Sequence, residues 1–517
     1  MKTVYLIGTG PGDPGLITAR GLDLLRQADV VIHDNWVSAA LLKEARRSAE
    51  LIDVGTAAPQ PMAQEAISIL LAEKAREDKL VARLKWGDPF VFDRGGEEAL
   101  FLHEQGIPFE VVPGIPAGTG VPAYAGIPVT YPGGGDTITL VRGFEGESRE
   151  APEIDWASLA RLDGTIVCYA GSHQLLGITE ALLINGWSPD EPAVVISNGT
   201  LPSQDTVETT IGALHERLAS QPLRRDAAIL VIGRVVGFRE HLRWFDVRPL
   251  FGRRVLVTRP REQAHDLVER LNALGADTVE APMIRITPPD DPTPLLKAAE
   301  DPSAFDWIVF TSANSVEGFM TALLSHHRDV RALKGPKLCT VGPGTAERLR
   351  RYSVAADLLP GEYRAEGVLE ALAANGSLAG SRVLLPHSDI GREVIAEQLR
   401  KAGAIVTDVI AYRTVLDEIQ REGDPDVYGM LLNGRIDVVT FTSASAVRNF
   451  VRIYGADQVA DLLKNTTVAV IGPVTAEAAR LAGITVSVQP AAYTIGGLVE
   501  AIAEFFTAGR KPTPVEP

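Results

Sequence analysis

The stretch LVARLKWGDPFVFDRGGEEA, residues 80–99, guides the interpretation of the first half of this chain. It begins with an apolar run that includes two cations, Arg83 and Lys85, and then turns through Trp-Gly-Asp-Pro. Gly87 permits close approach to the backbone, and Pro89 restricts the turn. Ligands bind at the carboxyl edge of open α/β sheets, where such turns lie. The stretch therefore predicts a ligand site, with an ordinary strand–turn–helix connection as the alternative.

Length and composition exclude several classes of protein. The chain has 517 residues, too many for one hydrophobic core, and we expect about two to four domains. The net charge of −16 disfavours a nucleic-acid partner, and no apolar run is long enough to span a membrane. The cysteines, Cys168 and Cys339, are far apart, which is typical of a reducing cytoplasm and excludes a Cys-x-x-Cys metal centre. The N-terminus enters a strand pattern directly, so we expect a cytoplasmic protein without a signal peptide.

The N-terminal half reads as two successive α/β lobes with a cleft between them. Residues 3–34 have the pattern of strand, glycine-rich turn, helix and strand, and Thr18 is predicted to cap the helix. The turn is not a dinucleotide-binding motif, because Pro11 and Asp13 obstruct the start of a pyrophosphate-binding helix. A nicotinamide-dependent dehydrogenase is therefore the least favoured function. Further predicted strands are FEVV, TITLVRGF, TIVCYAG, AVVISNGT and AAILVIGRVV.

Four segments of this half, in this order and spacing, resemble uroporphyrinogen-III C-methyltransferase of the tetrapyrrole methylase family. They are GTGPGDPGLIT, RLKWGDPFVFDRGGEEA, EVVPGIPAG and PAYAGIPVT. The resemblance covers residues 1–245 and implies a homodimer of two-lobed α/β subunits, with lobes at about 1–115 and 116–245. It also implies that S-adenosylmethionine binds in the cleft and that two methyl transfers to pyrrole carbons produce precorrin-2.

The same resemblance implies the site residues. Asp34 would accept the proton that the pyrrole carbon loses on alkylation, a role that suits a carboxylate, whereas a strand-end cap is the alternative. Alignment of donor and acceptor is the main requirement of a methyl transfer. The cofactor would contact Pro11, Trp86, Gly87, Asp88, Val91, Pro116, Ala117, Ala170 and Gly199. Where the chain lacks the family's own cationic residues, the remaining candidate partners of the substrate carboxylates are Arg83, Lys85, Arg94 and Arg142.

The chain departs from the family pattern at four positions. Asn35 and Thr56 stand where the family has an arginine and a lysine that is often assigned as proton donor. Trp86 replaces a glycine, and Ala170 replaces a methionine. Trp86 either stacks on a pyrrole ring or packs against the protein, and we expect packing. Two alternative functions follow, namely methylation of another tetrapyrrole, or ligand binding and sensing without turnover.

The C-terminal half contains an internal repeat with an offset close to 130 residues. The aligned pairs are 252–276 with 380–404, 305–319 with 436–450, and 338–350 with 468–480. Each copy reads strand, helix, strand, then strand–Thr-Ser–helix, then strand–Gly-Pro-x-Thr–helix. This is the pattern of a parallel, doubly wound domain that has been duplicated.

The repeated turns place hydroxyl groups at predicted helix starts. Helix N-termini favour anions through exposed N–H donors and the helix dipole, and plain N-capping is the alternative. We predict a carboxylate-binding cleft between two lobes. Its substrate-binding residues are expected to be Ser312, Thr345, Thr442, Ser443 and Thr475.

This half resembles uroporphyrinogen-III synthase through RRVLVTRP, FTSANSV, AYRT, FTSASAVRNF, IGPVTAE and YTIGGLVEAI. The resemblance implies two parallel α/β lobes joined by two hinge strands, MIRIT and AYRTV. The boundaries would be a linker at 246–252, a first lobe at 253–286 plus 416–508, a second lobe at 288–412, and a disordered tail at 509–517.

The implied reaction closes hydroxymethylbilane to uroporphyrinogen III, with inversion of the terminal ring and without a cofactor or metal. Tyr412 matches the family's candidate for assisting loss of the hydroxyl group, and a hinge-packing tyrosine is the alternative. His387 stands where many relatives have arginine. Because one half would make the substrate of the other, the two resemblances together predict a bifunctional enzyme on the branch toward sirohaem and corrinoids.

Overall fold

The computed structural model divides the chain into two compact units, Met1–Arg253 with Ala273–Asp277, and Arg254–Asn272 with Thr278–Pro517. The described residues are 2–55, 62–142, 154–171, 174–221, 227–327, 329–361, 365–389, 394–416 and 425–508. The predicted tail at 509–517 and the departure at Thr56 lie outside them. In the described part of the chain, no helix combines the length and the apolar character needed to cross a membrane.

The strands of the first unit are β1 Val4–Gly8, β2 Val30–His33, β3 Glu50–Asp53, β4 Val81–Lys85, β5 Phe109–Val112, β6 Thr137–Arg142, β7 Gly164–Gly171, β8 Pro192–Ser197, β9 Asp205–Thr210 and β10 Ala227–Ile232. Its α-helices are α1 Ala19–Gln27, α2 Ala39–Leu42, α3 Gln64–Arg76, α4 Gly95–Glu104, α5 Ala117–Tyr124, α6 Trp156–Leu159, α7 Leu175–Ile184, α8 Leu214–Ser220 and α9 Arg239–Leu242. Short 3₁₀ helices occur at Pro14–Leu16 and Arg234–Phe238. Thr18 caps α1, as predicted, by accepting a hydrogen bond from the Gly21 N–H.

The first sheet of this unit is parallel and has the order β3-β2-β4-β1-β5. Strand β4 is buried along its whole length because both of its faces are covered. Ala82 and Leu84 lie in one apolar cluster, and Val81 lies in another that includes residues of α3 and α4. Since side chains alternate along a strand, Arg83 and Lys85 share the face of Val81, toward α3 and α4.

The second sheet of this unit is mixed and has the order β6-β7-β10-β8-β9. Strand β6 is parallel to β7, and the other neighbours are antiparallel. Strand β9 was not predicted, because DTVETT buries a single apolar side chain, Val207, and lacks a strong period-two pattern. Helix α5 covers one face of the sheet through Ala117 and Val121, and α7 covers the other.

The strands of the second unit are β11 Arg254–Val257, β12 Asp277–Glu280, β13 Ile284–Thr287, β14 Trp307–Phe310, β15 Lys337–Thr340, β16 Arg382–Ser388, β17 Ile405–Leu416, β18 Val438–Phe441 and β19 Thr467–Val470. Its α-helices are α10 Arg261–Ala273, α11 Thr293–Glu300, α12 Ala313–His326, α13 Pro343–Arg350, α14 Ala365–Ala374, α15 Val394–Lys401, α16 Val427–Leu432, α17 Ala444–Tyr454, α18 Val459–Leu462, α19 Pro473–Leu481 and α20 Ile495–Thr507. Short 3₁₀ helices occur at Pro302–Ala304 and Val330–Leu333.

Two sheets organise the second unit, in the orders β12-β11-β18-β19 and β13-β17-β16-β14-β15. The first sheet combines strands from both ends of the unit. The second is parallel except for β13, which pairs antiparallel with β17. That pair joins the two predicted hinge segments, MIRIT and AYRTV, with Ile286 opposite Thr414. The predicted α/β fold class is therefore confirmed, and the repeat appears as equivalent strands in two sheets.

Candidate active sites

In the first unit, the turns after β1 and β4 form one structure. Gly10 and Gly87 exchange two backbone hydrogen bonds, of 3.1 Å and 2.9 Å. Both glycines have left-handed φ angles, 75° and 70°, which residues with a Cβ rarely adopt. The two turns lie at the carboxyl ends of adjacent parallel strands, where the opening stretch of the sequence predicts a site.

The turn after β5 joins this pair through a close approach of three backbone segments. A Cβ on Gly114 would lie 2.1 Å from the carbonyl oxygen of Gly87, and one on Gly8 would lie 2.5 Å from the Gly114 nitrogen. The carboxylate of Asp88 accepts hydrogen bonds from the N–H groups of Phe90 at 2.8 Å and Gly114 at 2.9 Å. Asp88 therefore fastens the β4 turn to the β5 turn.

The second lobe of this unit contributes a loop after β8. The Asp13 N–H donates to the Thr200 hydroxyl at 2.9 Å, and the Tyr124 hydroxyl donates to the Asp13 carboxylate at 2.7 Å. A Cβ on Gly199 would lie 2.4 Å from the side chain of Val121 in α5. The loop is thus held against the glycine-rich turn and α5 together.

The structure brings together most of the predicted cofactor residues. The Trp86 indole N–H donates to the Pro11 carbonyl at 2.9 Å, and its ring packs against the apolar cluster of Ala117 and Val121. Trp86 therefore packs against the protein, as expected. Val91 is half-buried in the turn that Asp88 fastens.

Ala170 is the exception among these residues. It is buried on the face of the second sheet that packs against α7, whereas Tyr169 points to the face covered by α5. The Tyr169 hydroxyl accepts a hydrogen bond from the Gly118 N–H at 2.7 Å, and burial raises the pKa of Tyr169. The Ala170 side chain faces away from α5, because neighbouring residues on a strand face opposite sides, and contact between Ala170 and the cofactor stays a prediction. Applying that alternation to Tyr-Ala-Gly would have identified Tyr169.

The arrangement fits the methyl donor that the resemblance implies. A Cβ on Gly87 would fill the space in front of the Ala117 nitrogen, at 3.6 Å, so glycine keeps this concave surface open. Ala117 begins α5, whose N-cap, Pro116, provides no side-chain hydrogen bond. Backbone N–H groups at a helix start are suitable donors for polar and anionic parts of a ligand.

A buried charge cluster lies beside these turns. The Arg83 guanidinium contacts Asp34 Oδ1 at 2.7 Å and Glu98 Oε1 at 3.3 Å. Lys85 Nζ contacts Glu98 Oε1 at 3.0 Å and Asp93 Oδ1 at 3.1 Å. Helix α4 provides Glu98 because this helix packs on the face of β4 that carries both cations.

Charge and burial oppose each other in this cluster. Burial alone would raise the pKa of Glu98, but Arg83 and Lys85 together hold that pKa below its ordinary value. Burial raises the pKa of Asp93, although Lys85 opposes the shift. Glu98 Oε2 is buried without a hydrogen-bond partner among the described residues. The two glutamates near the end of the opening stretch were the sequence signal for a carboxylate at this position, but no role was predicted for Glu98.

The predicted substrate cations differ in accessibility. Arg83 and Lys85 are each 1% exposed and are engaged by carboxylates of the chain. The prediction that they bind substrate directly is not supported by this placement, since Arg83 contacts Asp34 and Glu98, and Lys85 contacts Asp93 and Glu98. Arg94 binds Glu97 at 2.9 Å and is partly exposed, and Arg142 is exposed at the end of β6.

In the second unit, the structure brings Tyr412 and Ser312 together. Their hydroxyl oxygens are 3.1 Å apart, although the residues are 100 positions apart in sequence. Ser312 also caps α12 by accepting a hydrogen bond from the Ser315 N–H at 3.1 Å. Tyr412 packs partly against the apolar core of the second lobe. Capping and packing therefore coexist with a polar contact between the two hydroxyl groups.

The other predicted hydroxyl groups fall into two classes. Ser443 caps α17, as Ser312 caps α12, and Thr442 beside it is half-buried. Thr345 and Thr475 are buried in the first turns of α13 and α19, whose N-caps are glycines. Burial of these two residues does not show where their hydroxyl groups point, so substrate binding by Thr345 and Thr475 stays a prediction.

Comparisons with known proteins agree with both halves. Residues 3–215 match the family described as Tetrapyrrole (Corrin/Porphyrin) Methylases, and residues 265–500 match Uroporphyrinogen-III synthase HemD. The Porphyrin biosynthesis protein HemD of Ruminiclostridium josui is 37% identical over 483 residues, which cover 92% of this chain and 93% of that protein. The Uroporphyrinogen-III C-methyltransferase of Bacillus subtilis is 38% identical over 331 residues, which cover 64% of this chain and 68% of that protein.

Among solved structures, one similar protein is the uroporphyrin-III C-methyl transferase from Thermus thermophilus complexed with S-adenyl homocysteine. It is 35% identical, covers 46% of this chain and 99% of its own, and has a TM-score of 0.40. The family assignment rests on the two family matches and the nearly full-length relative. This chain therefore belongs to the HemD porphyrin-biosynthesis family, and within it a tetrapyrrole methylase half precedes a uroporphyrinogen-III synthase half.

Proposed function

We propose that this chain catalyses two consecutive steps of tetrapyrrole biosynthesis. The C-terminal unit converts hydroxymethylbilane to uroporphyrinogen III, and the N-terminal unit methylates that product twice from S-adenosylmethionine to give precorrin-2. The observation that carries the proposal is the presence of both families in one chain, because the product of one reaction is the substrate of the other.

In the N-terminal unit, the bound methyl donor would supply an electrophilic methyl group. It would be held by Gly87, Asp88 and the start of α5. Tyr169, whose hydroxyl contacts the start of α5, would line the side of the site that the second lobe contributes. Asp34 is 24% exposed, and Arg83 binds only its Oδ1 oxygen. Oδ2 is left to accept the proton lost from the pyrrole carbon, while Arg83 fixes the orientation of the carboxylate.

The substitution Asp34→Asn tests this role. The amide keeps the shape of the carboxylate but cannot accept the proton, so methyl transfer should fall by about 100-fold or more. Binding of S-adenosylmethionine, measured by calorimetry, and synthase activity should stay at wild-type levels. Asp23→Asn, an exposed position on α1, is the matched control. Unchanged methyl transfer in Asp34→Asn would remove Asp34 from the mechanism.

In the C-terminal unit, the Tyr412–Ser312 pair is suited to assist departure of the bilane hydroxyl group. A phenol whose oxygen is 3.1 Å from a serine hydroxyl can donate its proton to the leaving oxygen while the serine holds its orientation. The electrophile that forms is then attacked by the substituted carbon of the terminal ring. The spiro intermediate fragments and recloses with that ring inverted. The protein's task is to hold the carboxylate-bearing chain in the folded shape that this closure requires.

One experiment tests both activities and separates the alternatives. Purified protein receives hydroxymethylbilane with or without S-adenosylmethionine, and products are identified by isomer analysis and mass. We expect uroporphyrinogen III without the methyl donor and a dimethylated product with it. Uroporphyrinogen III in both samples would favour a methylase half that acts on another tetrapyrrole or only senses a ligand. The departures at Asn35, Thr56 and Ala170 motivate the first of these alternatives.

We also propose that the chain is a cytoplasmic homodimer that associates through its methylase half. The resemblance implies the dimer, and Trp36 and Phe90 support it as exposed large apolar side chains after β2 and β4. The two buried free cysteines, Cys168 and Cys339, support a reducing compartment. Light scattering should return twice the chain mass of 55.4 kDa, and Trp36→Ser should shift that mass toward the monomer.

A further inference from the structure

Arg259 occupies the carboxyl edge of the first sheet of the synthase unit. It follows β11, and the preceding Thr258 is buried and donates a hydrogen bond to the Thr440 carbonyl of β18 at 2.7 Å. Strand β18 is the parallel neighbour of β11 and runs into Thr442 and Ser443. Arg259 therefore lies at the sheet edge where the sequence predicts a carboxylate-binding cleft.

The charge of Arg259 is not balanced within the described chain. Its Nε atom is buried without a hydrogen-bond partner among the described residues, and its Nη2 contacts only Gln263 Oε1, at 3.4 Å. Burial lowers the pKa of Arg259, the positive charge of Arg348 lowers it further, and Asp266 opposes them. Asp266 itself binds Arg270 at 2.8 Å. Among the described residues, this half-buried guanidinium has no carboxylate within hydrogen-bond distance, the partner that such a group normally binds.

Side-chain contacts connect Arg259 to the other lobe of the same unit. Gln263, which contacts Arg259, also donates a hydrogen bond to the side chain of Asn314. Asn314 lies in the first turn of α12, which Ser312 caps beside Tyr412. Arg348, whose charge acts on Arg259, lies on α13 of this lobe. Arg259 is thereby connected through side chains to the Tyr412–Ser312 pair.

The internal repeat adds an independent observation. The ungapped alignment of 252–276 with 380–404 places Arg259 opposite His387, so both copies carry a basic residue near the carboxyl end of the equivalent strand. His387 Nδ1 lies 2.7 Å from the Ser388 carbonyl oxygen, so a local backbone group already engages its ring. Of the two equivalent positions, Arg259 is the one with an unsatisfied buried donor.

We propose that Arg259 binds a carboxylate side chain of the linear tetrapyrrole substrate, with Gln263 fixing the orientation of the guanidinium. The inference rests on the proposed synthase function. A guanidinium presents a planar set of donors that matches a carboxylate, and burial strengthens that bond. The substrate carboxylate supplies the missing counter-charge.

Arg259→Met separates a binding role from a structural role. Loss of a charged hydrogen bond should raise KM for hydroxymethylbilane by about 10- to 100-fold, with kcat within a few-fold of wild type. Removing a buried charge without a partner should leave the unfolding temperature of the ligand-free chain equal to or above that of wild type. Arg259→Lys keeps the charge without the planar fork and should give an intermediate KM.

The matched control is Arg331→Met, which removes the same group from a side chain that is 88% exposed and paired with Asp329. It should match wild type in KM and kcat. An unchanged KM in Arg259→Met, or a lower unfolding temperature together with a lower kcat, would overturn the inference while leaving the synthase function standing. A wild-type chain that forms no uroporphyrinogen III would overturn the proposed function and this inference together.

Discussion

Replacing Arg83 with methionine tests whether the buried charge cluster holds the methylase unit together. Arg83 is 1% exposed, and it contacts Asp34 at 2.7 Å, Glu98 at 3.3 Å and the Leu84 carbonyl at 3.2 Å. Methionine keeps much of the side-chain length but removes the charge and all three polar contacts. The substitution therefore isolates the electrostatic contribution.

The expected cost follows from what remains around Glu98. The cluster has two cations, Arg83 and Lys85, and three carboxylates, Asp34, Asp93 and Glu98. Without Arg83, one cation faces three carboxylates. The buried Glu98 then keeps two partners among the described residues, Lys85 and the neutral side-chain amide of Gln64. Removing one partner of a buried pair costs about 3–5 kcal/mol in the free energy of unfolding. We expect a loss of that size in Arg83→Met.

A second substitution determines the origin of that loss. Glu98→Gln removes the charge that Arg83→Met leaves uncompensated, so the double variant should be about 1–3 kcal/mol more stable than Arg83→Met alone. Lys79→Met is the control, because Lys79 is exposed and pairs with the exposed Glu77 at 2.7 Å. A surface pair of this kind contributes less than about 1 kcal/mol.

Urea unfolding of the full chain, followed by tryptophan fluorescence, measures these differences. Five of the six tryptophans belong to the first unit, so the signal reports mainly on that unit: Trp36, Trp86, Trp156, Trp187 and Trp244. A loss in Arg83→Met no larger than in Lys79→Met would refute the reasoning. So would a double variant that is less stable than Arg83→Met.

Three further predictions concern the other sites. Tyr412→Phe keeps the packing but removes the hydroxyl, so synthase turnover should fall by about 10-fold or more with methyl transfer unchanged; equal synthase rates would exclude Tyr412. Gly114→Ala places a Cβ 2.1 Å from the Gly87 carbonyl oxygen and should lower the free energy of unfolding by more than about 2 kcal/mol. In the control Gly96→Ala the new Cβ meets nothing within 4 Å, so the substitution should be tolerated; thermal unfolding measures both. Burial raises the pKa of Asp93 in the folded chain, so the contribution of this group to stability is lost as pH rises through that pKa. Asp93→Asn should therefore gain stability relative to wild type as pH rises above about 4, and a constant difference in unfolding temperature would contradict this.

Contiguous segments of the sequence predicted the fold well, because they contain their own structural signals. The glycine-rich turns, the Thr18 cap and the offset of the repeat are readable without knowledge of distant contacts. The missed strand β9 shows the limit of this reading. DTVETT carries little hydrophobic periodicity, and its place is set by pairing with β8.

The candidate sites were predictable as turns at sheet edges but not as individual contacts. Asp88 and Gly87 lie where the pattern predicts, because a Gly-Asp-Pro turn determines its own conformation. Whether Thr345 and Thr475 present their hydroxyl groups to substrate could not be read from the sequence, since the direction of a side chain in the first helical turn depends on how the helix packs. Arg259 carries no distinguishing local signal, since an arginine after a strand is common. That no described carboxylate pairs with it is a property of its surroundings in the folded chain.

By itself, the sequence determined the two halves, their order and the duplicated architecture of the second, since motifs and repeats are properties of neighbouring residues. Only the tertiary structure decided which groups meet. Arg83 reaches Asp34 across 49 positions and Tyr412 reaches Ser312 across 100. The sequence suggested that Arg83 binds the substrate. In the folded chain Arg83 is buried and contacts carboxylates of its own chain, so its contacts are those of a group that positions other side chains.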